Sequence, residues 1–297
     1  MRRPLKRSRV NRGDGQVIDN VSDDVSTARS MDSPWVGRLL TLHRQVRSAV
    51  AKSDRAGTGS KNAKDDDVKL FDLAANDAAL DVLREFQQPL IVDSEEGQRR
   101  EIGSGTPRHL LVLDPVDGSD NWGRGLPLSA VSVAVLPTDS PITPARVCWA
   151  MVGDLRERLP LTAHRGNGGY HGSRRICTSG VQTLSTAFLS CELNHFDPPP
   201  SVGKLLQRAR GVRAYGCASQ AMTMVATGAL DVHVDLRSRL TPENFLAAAL
   251  ILEESGGCVV STDGQPLHRI DSLISKTNLI AAATAELAQE VVNALVE

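Results

Sequence analysis

Two aspartates three residues apart, Asp114 and Asp117, stand in the run Asp114-Pro115-Val116-Asp117-Gly118-Ser119-Asp120-Asn121, directly after the apolar segment 109–113. That places them at the end of a strand, with Pro115 and Gly118 shaping the backbone so that both acids can point at one location. Hard cations such as Mg2+ take oxygen ligands in near-octahedral geometry, and the carboxylates of Asp114 and Asp117 with the Val116 carbonyl could supply them. Gly118-Ser119 can open a helix, whose free N–H groups would receive phosphate oxygens. Ser94-Glu95-Glu96 follows another apolar run, and Asp72 lies at the start of an amphipathic helix. Acids at the ends of several elements are the usual way an α/β scaffold assembles a site.

Each signal also has an ordinary reading. Acid-Pro-x-acid-Gly is common turn chemistry, because Asp and Gly cap helices and form turns. Glu-Glu after a strand is often a solvated loop, and a lone Asp early in a helix complements the helix dipole.

The elements that must carry these residues follow from hydrophobic spacing. Residues 1–32 hold Arg2, Arg3, Lys6, Arg7, Arg9 and Arg12, then Asp14, Asp19, Asp23 and Asp24. They are expected to form a disordered basic and polar tail, a nucleic-acid or partner-binding arm being the alternative. From Ser33-Pro34 onward, Trp35, Leu39, Leu42, Val46 and Val50 recur at helical spacing. Residues 53–67 read as a mobile polar loop. A second helix carries Phe71, Ala74, Ala75, Ala78, Ala79, Val82, Leu83 and Phe86 on its apolar stripe. Strands are expected at 90–92, 109–113, 129–136 and 145–152, with a tight turn at 166–169. Further on come a strand at 187–190, a helix at 219–228 and a strand at 230–235. A helix then begins with Thr241 as N-cap and Pro242 in its first turn and ends at Gly256-Gly257. Strands at 258–261 and 278–282 and a terminal helix complete the chain. The expectation is an α+β half over 33–170 holding the acids, followed by an α/β half over 171–297.

Composition narrows the class. The 297 residues are 41% hydrophobic but 3% aromatic, so the core is aliphatic and suits a layered α+β or α/β protein. A net charge of -1 gives no strong pull on nucleic acid or anionic membrane. The five cysteines are odd in number and widely spaced, against a disulfide framework or a structural zinc site. A reducing cytoplasm is the simplest compartment, and no apolar run is long enough to span a bilayer. His109, His164, His171, His195 and His233 show no metal spacing. Cys217 has no base placed beside it, so a thiol nucleophile is not expected.

The segment 114–121 resembles the DPxDGTxN signature of the inositol monophosphatase family. Ser94-Glu95-Glu96 matches that family's metal-binding Glu-Glu step, and Phe71-Asp72 with Ala75 and Asp77 is similar to its N-terminal acid-and-helix segment. Gly125-Leu126-Pro127 with Val131-Ser132-Val133, the glycines at 166–172, the segments 211–216 and 224–235, and Glu254-Ser255-Gly256-Gly257 follow in the family's order. Val234-Asp235-Leu236-Arg237 with Leu240 looks most like the archaeal branch, which hydrolyses inositol phosphates and fructose 1,6-bisphosphate. The resemblance implies a layered αβαβα sandwich of the sugar-phosphatase type. It also implies Mg2+-dependent hydrolysis of a small sugar or polyol phosphate, and, by analogy, a homodimer.

Residue by residue, the resemblance implies a first metal at Glu95, Asp114 and the Val116 carbonyl, and a second at Asp114, Asp117 and residue 244. Glu95 and Ser119 would orient the attacking water, with Asp72 holding Ser119. The amides of Gly118 and Ser119 would grip phosphate, and Gly216, Asp235 and Arg237 would meet the sugar or polyol. One departure stands out: the family has a ligating aspartate where this chain has Asn244, whose amide oxygen is neutral. Glu243 beside it points about a quarter-turn away. Ser119 replaces a threonine and keeps the hydroxyl, and Lys69 lies near a position where threonine is common. Two further readings therefore accompany the phosphatase. One is a catalytically weakened member that binds a ligand or partner; the other is a 3′-phosphonucleotide phosphatase.

Overall fold

The computed structural model describes residues 34–62, 67–97, 99–139, 141–267, 270 and 272–297. The basic tail expected over 1–32 lies outside the described residues. Helix α1 (Pro34–Lys52) buries Trp35, Leu39, Leu42, Val46 and Val50 along one stripe. The segment expected to be a loop instead contains strands β1 (Gly57–Lys61) and β2 (Asp67–Lys69), paired antiparallel. Their residues are mostly polar, so hydrophobic alternation could not reveal them. Helix α2 (Leu70–Glu85) packs beside α1 and buries Asp72 and Asn76 among its apolar residues.

Strands β3 (Leu90–Ser94), β4 (Arg100–Ile102), β5 (His109–Asp117), β6 (Ala130–Pro137), β7 (Trp149–Asp154), β8 (Leu161–His164), β9 (Gly168–His171) and β10 (Arg174–Arg175) form one sheet. Its order is β10-β9-β8-β7-β6-β5-β3-β4. A short helix, α3 (Ser119–Arg124), joins β5 to β6. The second sheet holds β11 (Phe188–Cys191), β12 (Gly211–Arg213), β13 (Val232–Leu240), β14 (Cys258–Val260) and β15 (Thr277–Ala282), in the order β12-β11-β13-β15-β14. The change of sheet thus falls between Arg175 and Phe188. Helices α4 (Pro200–Arg208), α5 (Ala218–Ala226), α6 (Pro242–Glu253) and α7 (Ala285–Val296) complete the fold.

The layers run α1 and α2, eight-stranded sheet, α5 and α6, five-stranded sheet, α4 and α7, an αβαβα sandwich. Helix α6 explains the centre. Phe245 through Leu252 are all at most 1% exposed, so the helix is apolar on every side and must be enclosed. Burying each large side chain contributes about 1.5–3 kcal/mol. Against β6 and β7 on one side and β14 on the other, α6 is held rigidly, and its first turn is the part available for chemistry.

Candidate active site

Strand β5 is longer than hydrophobicity indicated, running through Asp114 and Asp117 themselves. In a regular strand, residues three apart face opposite sides. Here the pairing shifts: Asp114 lies opposite Ser132, while Asp117 lies opposite Ala130. Three steps on β5 answer two on β6, and this one-residue bulge returns both aspartates to one side. Asp114, Val116 and Asp117 accordingly line a single cleft of about 590 Å³.

Parallel pairing of β3 with β5 brings in the next acid. Ser94 is registered with Leu113, and the Glu95 amide donates to the Leu113 carbonyl at 3.1 Å. The following residues, Glu95 and Asp114, therefore leave the two strands side by side, and both line the cleft, as does Glu96.

Gly118 closes the turn with φ 78, in the left-handed region. A Cβ there would stand 2.8 Å from the Leu128 carbonyl oxygen and 3.0 Å from Cys217 Cβ, so glycine is needed for the close approach. Asn121 fastens Leu128 and the segment leading to Cys217, its Nδ2 donating to Leu128 O at 2.9 Å and Tyr215 O at 2.7 Å. Glu192, 1% exposed, accepts from the amides of Tyr215 and Gly216 at 3.1 and 3.0 Å. It fixes the Gly216 rim of the cleft. No sequence pattern singled out Glu192, because a lone acid after a strand carries no signature.

Asp117 has a second task. Its Oδ2 accepts from Ser219 N at 2.7 Å, Ser219 Oγ at 2.6 Å and Cys217 Sγ at 3.3 Å, satisfying the opening of α5. Burial, then the Asp117 charge, drives the Cys217 thiol well above its usual range, in keeping with a donor and not a nucleophile.

The first turn of α6 is fastened beside β6 by Ser132 Oγ, which donates to the Glu243 carbonyl at 2.9 Å. Ser132 is the cross-strand partner of Asp114, so this bond sets Asn244 over that aspartate. Asn244 Oδ1 accepts from Thr241 N at 3.2 Å, completing the N-cap, and lies 3.0 Å from Thr241 Oγ1, whose proton goes to the nearer Glu243 Oε1 at 2.5 Å. Asn244 Nδ2 then donates to Asp114 Oδ2 at 2.9 Å. Where the resemblance implied an oxygen ligand, the Asn244 oxygen here serves the helix cap and the amide turns an N–H toward Asp114, at the edge of the cleft. Glu243 does not line the cleft.

Asp72 is 2% exposed and stands behind the cleft lining. Its Oδ2 accepts from Lys69 N at 2.9 Å, while Oδ1 is buried without a hydrogen-bond partner. Burial raises its pKa to about 6. The expected grip of Asp72 on Ser119 is not made. Ser119 Oγ instead accepts from Lys69 Nζ at 3.2 Å.

Gly216 and Arg237 line the cleft. Asp235 does not: it is 0% exposed, and Arg237 takes both of its oxygens, through Nε at 3.0 Å and Nη2 at 2.6 Å. Burial forces the carboxylate to pair, and the nearest cation satisfies it. Asp235, expected to meet substrate, here holds Arg237, which itself lines the cleft. Of the five histidines singled out in the sequence, His195 lines the cleft, whereas His164 stacks on Trp149 at 3.8 Å.

Among the described residues, no three acid, histidine or cysteine side chains stand close enough to enclose a metal ion unaided. The cleft donors Glu95, Asp114, Asp117 and Val116 are nevertheless all hard oxygen. Mg2+ keeps several waters and is bound by one or two carboxylates plus substrate phosphate, so this sparse set fits such an ion.

Comparison with known proteins places most of the chain in one family. A model described as the inositol monophosphatase family matches residues 27–297. The chain is similar to the fructose-1,6-bisphosphatase/inositol-1-monophosphatase of Methanothermobacter thermautotrophicus, at 29% identity over 88% of this chain and 96% of the relative. It is 28% identical to the Nus factor SuhB of Pseudomonas aeruginosa, over 84% of this chain and 92% of the relative. Among solved structures it resembles the Thermotoga maritima IMPase, with TM-score 0.72 and 23% identity, covering 89% and 97% of the two chains.

Proposed function

This chain belongs to the inositol monophosphatase family and is a phosphoric monoester hydrolase, and we propose that it cleaves a small sugar or polyol phosphate with the help of Mg2+. The observation that supports this reading is the parallel register that sets Ser94 opposite Leu113, so that Glu95 and Asp114, the next residue of each, open onto the same cleft as Asp117, Gly118 and Ser119.

Glu95, Asp114 and the Val116 carbonyl would hold the cation. Bound there, Mg2+ supplies positive charge to a phosphoryl oxygen and lowers the pKa of a water. Glu95 and Ser119 would orient the attacking water. The amides of Gly118 and Ser119 face the phosphoryl oxygens. Asp117 keeps the Cys217–Ser219 wall in place while it borders the same space, and Asp72 is a positioning residue acting through the Lys69 backbone. The polyol would rest against Gly216 and Arg237. Inositol monophosphate and fructose 1,6-bisphosphate are the first substrates to try, given what the Methanothermobacter relative is named for.

The test is phosphate release from a panel of sugar and polyol phosphates over a Mg2+ series. Metal-dependent release from at least one of them is expected. Absence of release from every one at high Mg2+ would contradict the reading. The second reading, a weakened member that binds a partner, is favoured by one observation: Asn244 has exchanged a carboxylate for a donor. In that case Mg2+ binding would persist without turnover.

A further inference from the structure

Lys69 is a cation of this cleft to which the sequence assigned no role. It ends β2 and precedes α2, and its side chain crosses Gly123, where a Cβ would lie 3.8 Å from Lys69 Cδ and 3.9 Å from Cε. The ammonium passes 6.0 Å from the Phe71 ring centroid and reaches Ser119 Oγ at 3.2 Å and Asp120 Oδ1 at 2.6 Å. The side chain is 17% exposed, so a flexible chain is pinned in the cleft wall. Asp120, 88% exposed, is a solvated partner whose attraction is screened. It anchors the ammonium without cancelling its field in the cleft.

An ammonium has three N–H groups, and the two contacts above use two of them. A serine hydroxyl that accepts from lysine keeps its own O–H free to donate. Lys69 and Ser119 together thus present two directed donors, one of them charged, beside Gly118 at the end of the acid-bearing strand. Donors of this kind fit an anionic oxygen. Where Asn244 has removed one reason for a second cation to bind, a protein-borne charge at this place counterbalances an incoming dianion.

We propose that Lys69 is a phosphate-contacting residue, its free N–H and the Ser119 hydroxyl together holding one non-bridging oxygen of the substrate's phosphoryl group. This rests on the phosphatase reading for its biological sense, but the contact itself is testable with inorganic phosphate, the product of that reaction.

Phosphate binding is measured by calorimetry for the intact chain, Lys69→Met and Lys69→Arg, each with Mg2+ binding measured alongside. Lys69→Met keeps the apolar stem and is expected to weaken phosphate binding by about tenfold to a hundredfold, the usual weight of a charge-assisted hydrogen bond. Lys69→Arg retains most of the affinity, and Mg2+ binding is not weakened in either variant. A purely structural role for Lys69 would leave phosphate affinity unchanged in folded Lys69→Met, and that result overturns the proposal. A second measurement needs no variant: phosphate should slow acylation of Lys69 in the unaltered protein, read by mass spectrometry, and equal rates with and without phosphate overturn it. If phosphate protects Lys69 but no phosphate ester is hydrolysed, the contact stands and the enzymatic reading falls. If esters are hydrolysed while Lys69→Met binds phosphate normally, the reverse holds.

Discussion

Asn244 Nδ2 donates a hydrogen bond to Asp114 Oδ2 across 2.9 Å, joining two residues 130 positions apart. The bond turns what the sequence presents as a lost ligand into a partner of the acid that remains. It places a neutral donor where a carboxylate would have gathered a second cation, so the unaltered protein is expected to bind one Mn2+ or Mg2+. Asn244→Asp replaces that donor with an acceptor facing Asp114. Metal titration by Mn2+ electron paramagnetic resonance should then count two ions, while the metal-free variant melts below the parent because two carboxylates face each other. An unchanged count of one would show that residue 244 does not border the metal site.

Asp117 is expected to stabilise the protein through α5 as well as to shape the cleft. Ser219→Ala removes the 2.6 Å hydroxyl bond to its Oδ2 and leaves the 2.7 Å amide bond. A loss of about 1–3 kcal/mol in urea unfolding is expected, since one donor to a buried carboxylate disappears. Stability equal to the parent would mean that the α5 opening does not depend on this contact.

The structure separates the thiols sharply. Cys177 is exposed, Cys217 is raised well above its usual range by burial and Asp117, and burial, with Asp235 and Glu192, pushes Cys191 to about 12. Iodoacetamide at about pH 8 should label Cys177 in the native protein and reach Cys191 and Cys217 only after unfolding, since the thiolate is the reactive form. Peptide mapping checks this; early labelling of Cys217 would speak against its hydrogen bond to Asp117.

How much of this was legible in the sequence divides by physical cause. The segment 114–121 and the pair Glu95-Glu96 stood out as acids following apolar runs, but each alone also fitted a turn or a solvated loop, and only the resemblance to a family joined them into one expected site. The helix at 242–253 was readable from Thr241 and Pro242. What escaped depends on three-dimensional register. The bulge between Asp114 and Asp117 exists only against β6. The direction of the Asn244 amide is decided by Thr241, which claims its oxygen. The burial of Asp235 and its capture by Arg237 were not legible, because they follow from the place of β13 between β11 and β15, which hydrophobicity alone does not give. Lys69 escaped because a long side chain is located by where its tip can go, and Ser119 is 50 positions away in the chain.

His43 lies under Gly153, 1% exposed, with Nε2 at 2.9 Å from the Asp154 carbonyl oxygen. Burial lowers its pKa, Arg47 adds to this, and Asp154 opposes it. The folded state therefore takes up the proton less readily than the unfolded state. The stability contributed by neutral His43 is full above about pH 6.5 and is lost as pH falls toward the lowered folded value, at up to about 1.4 kcal/mol per pH unit. Urea unfolding of the parent and His43→Asn between about pH 5 and 8 should show the gap between the two curves narrowing toward acid. A gap that is constant with pH would contradict a neutral, buried His43.

The central claim is that residues far apart in the chain share one divalent cation, and the most direct measurement is an anomalous-difference map from crystals soaked in Mn2+. One strong peak within ligand distance of Glu95, Asp114 and the Val116 carbonyl is the predicted result. No peak in that cleft, or a peak held by other residues, would contradict it.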